Sequence, residues 1–441
     1  MTATPLVSSM ARVGRLPTLP ALAVLAAAAA ALPVVAQAQS AAAVPAAAAS
    51  APAVDEATLR QRLDQQAAEL ERLKADLDAV KQRQATVAAA PAGGEGATVL
   101  TSYGELNYNR TRKSANTQAD LRRLVFGFQH RFDARTRVVT EVEVEHAVAS
   151  ASDSGEVAVE QAYVERQLTP DWSLRGGLFL VPLGLLNESH EPPAFYGVER
   201  NFVETAIIPT TWREGGAMLG GSLGDGVSVQ FGLSTGFDLS KWDATSTDGS
   251  ESPLGSIHQE MQLAHARDLS VFTAANWRGV PGLTLGGGLF TGGASQGQTT
   301  TKARVTLWEA HARWQPGAWD LSALYAHGGI SHTAELNAPL VGSTTLIPEA
   351  FDGGYLQAAY KAWSREDQSL SPFLRWERYN TAKRYAELGA GLTPTAASAE
   401  RVLTLGANWQ VASGVVVKAD VQRFGSSRDK DRLNLGLGWA F

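Results

Sequence analysis

The chain has 441 residues, a formal net charge of −6 and no cysteine, so disulfides and thiolate metal centres are excluded and nucleic acid is an unsuitable partner. Its only long apolar run is at the N-terminus, which excludes a helical membrane protein. The 42 glycines, 11 tryptophans and 14 phenylalanines suit a barrel, whose alternating strands escape hydropathy averages.

Residues 1–38 predict a secretory signal peptide. Arg12 and Arg15 precede an Ala/Leu/Val run from Ala21 to Ala31, and Ala36-Gln37-Ala38 offers small residues for cleavage. The run is short for a spanning helix of about 20 residues, and Pro33 interrupts its end. Residues 39–54 are an Ala/Pro-rich linker. Between 55 and 90 the period becomes helical. Leu59, Leu63, Gln66, Leu70, Leu73, Leu77, Val80, Gln84 and Val87 form a heptad seam, flanked by Glu69 and Asp76 at g and by Lys74 and Lys81 at e. This predicts a periplasmic coiled coil, ended by Pro91 and Gly93-Gly94.

From 97 to 441 no helical period returns, and sixteen strands are predicted. They run from Ala97–Asn109 through Val227–Phe237, His265–Trp277 and Gly353–Trp363 to Asp431–Phe441. Every second connector is a tight turn, as at Asp133-Ala134, Thr169-Pro170-Asp171, Gly224-Asp225-Gly226, Pro316-Gly317-Ala318 and Val411-Ala412-Ser413, and the others are mostly longer and polar. Transmembrane barrels sort their loops in this way, with short periplasmic turns and long extracellular loops. Trp172, Trp277, Trp314, Trp319, Trp363 and Trp409 all lie close to the short turns, where an amphipathic ring can sit at the headgroup level. In the last strand Leu433, Leu435, Leu437, Trp439 and Phe441 alternate with small or polar residues. An open edge on such a strand invites aggregation, and closing it against the first strand removes the edge. The predicted fold is all-β, a 16-stranded antiparallel transmembrane β-barrel.

Strand phase proposes a lumen. With Phe126, Phe128, Val142 and Val144 facing lipid, Arg123, Arg131, Glu141, Glu143 and Glu145 face inward. Later strands add Glu309, His311 and Arg313, then Lys361, Arg375, Glu377, Lys418 and Asp420. Charge of both signs along a wall selects ions by sign and local field. Solvated or paired charge without a selective role is the plainer alternative for any single one of these residues.

The longest predicted connector, Pro182 to Thr211, is the third extracellular loop. In the loop and its exit Glu188, Glu191, Glu199, Glu204 and Glu214 outnumber Arg200 and Arg213, all counted here with the constriction, while Phe195, Tyr196, Phe202, Ile207 and Ile208 could pin the loop to a wall. An exposed surface loop would have little use for so many large apolar residues.

The stretch Gly177-Leu178-Phe179-Leu180-Val181-Pro182-Leu183-Gly184 resembles the strand-end G-x-F-x-x-P-x-G of the phosphate-selective porin O/P family. Glu199-Arg200-Asn201-Phe202-Val203-Glu204, Pro209 and Arg213-Glu214-Gly215-Gly216-Ala217 are similar to its pattern as well. The resemblance implies a trimeric outer-membrane porin of a Gram-negative-type bacterium, whose third loop folds inward and narrows the barrel. The closing residues Leu433–Phe441 resemble the signature read by the barrel-assembly machinery, and the surroundings implied are outer-membrane lipid and lipopolysaccharide. Phosphate selectivity needs a dense ladder of cationic groups, whereas this chain has nine lysines and an acidic loop, so the family's named solute does not carry over.

The expected function is therefore a passive channel for small hydrophilic solutes or ions. Two rivals remain at this point: a barrel hydrolase using His327, His332, Ser331 and Glu335 at the outer rim, or an envelope tether acting through the coiled coil. No cofactor or metal is expected, because the eight histidines lack ligand spacing and Pro192-Pro193 interrupts any helix after His190. Gly232-Leu233-Ser234-Thr235-Gly236 matches a nucleophile elbow but lies inside a predicted strand.

Overall fold

The computed structural model describes residues 96–441 except 114, 116 and 151, and the expected signal peptide, linker and coiled coil lie outside the described residues. The strands are β1 (Thr98–Thr111), β2 (Gln118–Arg131), β3 (Thr136–Glu145), β4 (Val157–Thr169), β5 (Trp172–Leu180), β6 (Arg213–Gly224), β7 (Val227–Ser234), β8 (Ser270–Trp277) and β9 (Leu283–Gly293). They continue as β10 (Arg304–Trp314), β11 (Trp319–Ile330), β12 (Ala350–Tyr360), β13 (Trp363–Arg365), β14 (Gln368–Arg384), β15 (Glu400–Ala412), β16 (Val415–Phe424) and β17 (Arg432–Ala440). Apart from β12 and β13, each pairs antiparallel with its neighbours in the chain. Both β12 and β13 pair with β14, so they are one stave interrupted at Lys361-Ala362. The wall therefore has sixteen staves, as the sequence predicts.

The wall closes on itself. β1 pairs with β17 from Tyr103↔Ala440 to Thr111↔Arg432, and the exchange between Ser102 and Phe441 extends it, at 3.0 Å (Ser102 N to Phe441 O) and 2.9 Å (Phe441 N to Ser102 O). Among the described residues no strand edge is left open. Alternation sets the faces. Leu433, Leu435 and Leu437 point outward and exposed, as do Phe126, Phe128, Leu403 and Leu405, whereas Asn434, Lys418, Asp420 and Gln422 are buried inside. The outward tryptophans Trp277, Trp314, Trp319, Trp363 and Trp409 ring the short-turn end.

Three expectations need correction. The loop from 235 to 269 is longer than that from 181 to 212, because β7 stops at Ser234 and β8 starts only at Ser270. Phe237 turns inward to pack against Trp212 and Phe290, and packing there outweighs the strand period. Lys361 stands exposed in the break beyond β12 at the short-turn rim, away from the middle of the lumen. The inner wall is also not polar throughout. On the long-loop half of β5 to β12, Phe179, Phe272, Phe290, Val305, Leu307, Ala326 and Phe351 bury against loop residues Leu183, Val203, Ile207, Ile208, Leu254, Ile257 and Ile347. Strand phase cannot foresee that loops will cover an inner face.

Candidate functional site

The third long loop, 181–212, enters the barrel because its base is tied shut. Asn187 Oδ1 accepts from Trp212 N at 2.7 Å, and its Nδ2 donates to the carbonyls of Val181 (2.7 Å) and Trp212 (2.8 Å). The run into the loop has a physical reading at each special position. Gly177 has φ +135°, and a Cβ there would meet the backbone of Ala162 and Tyr163. Phe179 is fully buried against Phe272. Gly184 has φ +83° and leaves room for the carboxylate of Glu204.

Glu204 organises the loop from inside. It accepts from Leu185 N (2.6 Å), Leu186 N (2.8 Å), Asn201 Nδ2 (2.7 Å) and the Tyr355 hydroxyl (3.0 Å). Asn201 Oδ1 in turn accepts from Glu204 N at 2.8 Å, at the head of the π-helical turn Val203–Ile207. Arg200 is buried, donating to Thr210, to Thr211 Oγ1 at 2.8 Å and to the His190 carbonyl at 3.2 Å.

The middle of the loop reaches the opposite wall. Arg375 of β14 donates to the carbonyl of Tyr196 at 3.0 Å and pairs with Glu377 at 2.9 Å. Val198 N donates to Asp420 (2.7 Å), Phe202 N to Glu377 (2.6 Å) and Gly197 N to Asn408 Oδ1 (3.2 Å). Glu199 accepts from Asn109 Nδ2 at 2.8 Å. Burial would raise its carboxyl, yet Arg432 and that hydrogen bond hold it below the ordinary carboxylate range. Apolar contacts finish the docking. Phe202 stacks on Tyr379 at 5.3 Å, Tyr196 lies 5.8 Å from Phe373, and Lys418 Nζ sits 3.4 Å over the centre of the Phe195 ring.

The remaining predicted residues fall into distinct places. Arg123, buried, links Glu105 (2.9 Å), Glu143 (3.0 Å) and Glu145 (3.5 Å), while Glu141 accepts from Gln161. Glu309 is buried beside His311 Nδ1 at 2.8 Å. Arg313 grips Asp320 with two bonds, 3.0 and 2.6 Å. Arg131 lies at the short-turn end, 3.4 Å from the Ala134 carbonyl. Arg213 opens β6 instead of belonging to the loop, and pairs with Glu260 of the following long loop at 3.0 Å. Glu191 precedes the turn Pro192–Ala194 and is half-buried. Glu188 stays exposed though the barrel surrounds it, 3.1 Å from Gln230 Nε2 and 3.6 Å from Arg175 Nη1.

Sequence reasoning missed several inward partners. Glu165 bridges Arg137 and Arg175 (2.8 Å), and Tyr103 joins His190 to Glu160, each at 2.8 Å. The available signal was a change of parity in β4, where Val157 and Val159 and then Val164 all face outward.

Residues 96–431 match the sequence model of the family described as Phosphate-selective porin O and P. The chain belongs to that family. The porin is therefore an outer-membrane channel and not an enzyme. A protein of Aquifex aeolicus (strain VF5), described as uncharacterized, is 29% identical to the porin over 354 residues, covering 78% of this chain and 79% of that one. Among solved structures, OmpF of Salmonella typhi in complex with daunomycin superposes with a TM-score of 0.55 at 14% identity, covering 78% of the porin and 98% of its own chain. The outer-membrane channel DcaP of Acinetobacter baumannii gives 0.51 at 12% identity, covering 79% and 98%. At such identities these two likenesses concern the fold alone.

Proposed function

We propose that this porin is a passive diffusion channel for small hydrophilic solutes or ions, narrowed by loop 181–212 and acting as a homotrimer in the outer membrane. The observation that carries the narrowing is the row of bonds from Tyr196, Val198 and Phe202 to Arg375, Asp420 and Glu377, which hold the loop against the wall opposite its entry. Sign selection falls to the group left most open to water, Glu188 on the loop, because Arg175 beneath it and Arg313 across the lumen are held by Glu165 and Asp320. The trimer rests on the family resemblance.

Phosphate is not the proposed solute. Arg123, Arg175, Arg313 and Arg375 each face a carboxylate at 3.0 Å or less, so their charge is already matched and their donors are engaged. The deciding experiment is single-channel conductance of the refolded porin in a planar bilayer, with reversal potential under a salt gradient and phosphate titrated in. Conductance steps in threes, with no block by low phosphate, are expected. Folded protein that never conducts would overturn the channel, and block by low phosphate would overturn the solute assignment.

A further inference from the structure

Glu141 of β3, Glu160 of β4 and His190 of the third loop each bring one donor atom within 4.8 Å of the others. Glu160 has no exposed surface and His190 is 4% exposed. A bulge creates the arrangement. Glu141 pairs with Gln161 and Val142 with Val159, so β4 carries one residue more than β3 at this point and Glu160 is turned into the barrel. Glu160 Oε2 accepts from the Tyr103 hydroxyl at 2.8 Å and lies 3.8 Å from His190 Nε2, while Oε1 has no hydrogen-bond partner among the described residues.

Charge around the cluster is unbalanced. Arg123 is shared by Glu105, Glu143 and Glu145, and Arg200 is taken up by Thr210, Thr211 and the His190 carbonyl. Neither Glu141 nor Glu160 forms an ion pair with a lysine or arginine among the described residues. Both ring nitrogens of His190 donate, to Asn187 and Tyr103, so one imidazolium faces two carboxylates, and a buried carboxylate that is not compensated is strongly disfavoured. The imidazole is already set for ligation. Its Nδ1 lies 2.9 Å from the Asn187 carbonyl and donates there, as outer hydrogen bonds do for metal-bound histidines, while Nε2 lies 2.8 Å from the Tyr103 hydroxyl and 3.8 Å from Glu160 Oε2.

We propose that Glu141, Glu160 and His190 bind a divalent transition-metal ion of the zinc class, and that this ion ties the third loop to β3 and β4. One imidazole and two carboxylates suit zinc, with water in the fourth position, whereas calcium and magnesium take oxygen donors. Bonds of about 2.0–2.2 Å place tetrahedral donors about 3.5 Å apart, so Glu160 and His190, at 3.8 Å, are nearly in place, and Glu141 closes on them by about an ångström at most. Nε2, which donates to the Tyr103 oxygen while that hydroxyl donates to Glu160, releases its proton to water and takes the ion instead, and Tyr103 goes on donating to Glu160. The proposal uses the loop's position but not its conduction, so binding and conductance are measured separately.

The test is calorimetric titration of chelator-treated, refolded full-length porin with zinc chloride, and visible absorption with cobalt(II). One zinc ion per chain is expected, with tetrahedral cobalt bands. Glu160→Gln and His190→Gln each weaken binding by about a hundredfold or more and remove the bands. Heat-modifiable migration on gels checks that each variant has closed. Where His190→Gln fails to close, Glu141→Gln on the less buried ligand replaces it. Binding unchanged in Glu160→Gln and Glu141→Gln, or no binding by porin that conducts, would overturn the site.

Discussion

Replacing Glu204 by alanine tests whether the loop is held from inside by one carboxylate. The change removes the acceptor for four donors, of which the N–H groups of Leu185 and Leu186 belong to the backbone and cannot turn away. A buried donor left unmade costs about 1–3 kcal/mol, and both leucines are only half-buried, which favours the lower part of that range. The docked loop then loses about 3 kcal/mol, which is on the order of a hundredfold in its docking equilibrium. The wall keeps all its strand pairs, so the barrel still closes. The assay is limited trypsin digestion in detergent, with cleavage after Arg200 followed by mass spectrometry. That residue is buried, and the wild type should resist. Glu204→Ala is expected to be cut there much faster while remaining heat-modifiable. Glu204→Gln, which keeps one oxygen acceptor, falls between the two. An alanine variant as resistant as the wild type would show that the contacts to Arg375, Asp420 and Glu377 hold the loop unaided and that the carboxylate is dispensable.

Other perturbations probe separate parts. Gly104→Val places a Cβ 2.5 Å from the Trp439 ring across the closing seam, and a lowered temperature of heat modification is expected, as large as overpacking usually gives, about 1–3 kcal/mol. Arg123→Gln leaves Glu105 and Glu143 buried and unpaired, and denaturant titration should record a loss of about 3–5 kcal/mol. Lys418 Nζ has the Phe195 ring above it but no hydrogen-bond partner among the described residues, so Lys418→Met should refold at least as well as the wild type while the reversal potential moves toward cation preference. Glu199 has a lowered folded-state pKa, so its contribution is present above the ordinary carboxylate value and is lost as pH falls through the folded one. Conductance should therefore change on acidification below about pH 4, and Glu199→Gln should flatten that change.

The barrel was legible because its signals are local. Leu433, Leu435 and Leu437 show the outward face by period alone, and Pro170-Asp171 or Asp225-Gly226 show a turn by their backbone preferences. The loop's burial could be read from Phe195, Phe202 and Ile207, large apolar residues in a connector. What stayed hidden depends on distance or on broken register. Phe237 continues the alternation of β7 yet leaves the sheet, because Trp212 and Phe290 wait inside. Asp320 and Arg313 meet across a hairpin, a pairing visible only once the register is known. The meeting of Glu141, Glu160 and His190 joins two strands and a loop through a bulge, and no spacing in the chain encodes it.

The apolar cluster inside the barrel makes one side of the wall unlike the other. Nearly all its members lie between Phe179 and Tyr355, a continuous run of chain from β5 to β12. Side chains as large as Trp212 and Phe351 are fully buried there, and interiors of that kind are close-packed and resist compression. Half of the barrel's circumference is thus propped from within as a soluble domain is, by packed side chains and not by strand pairing alone.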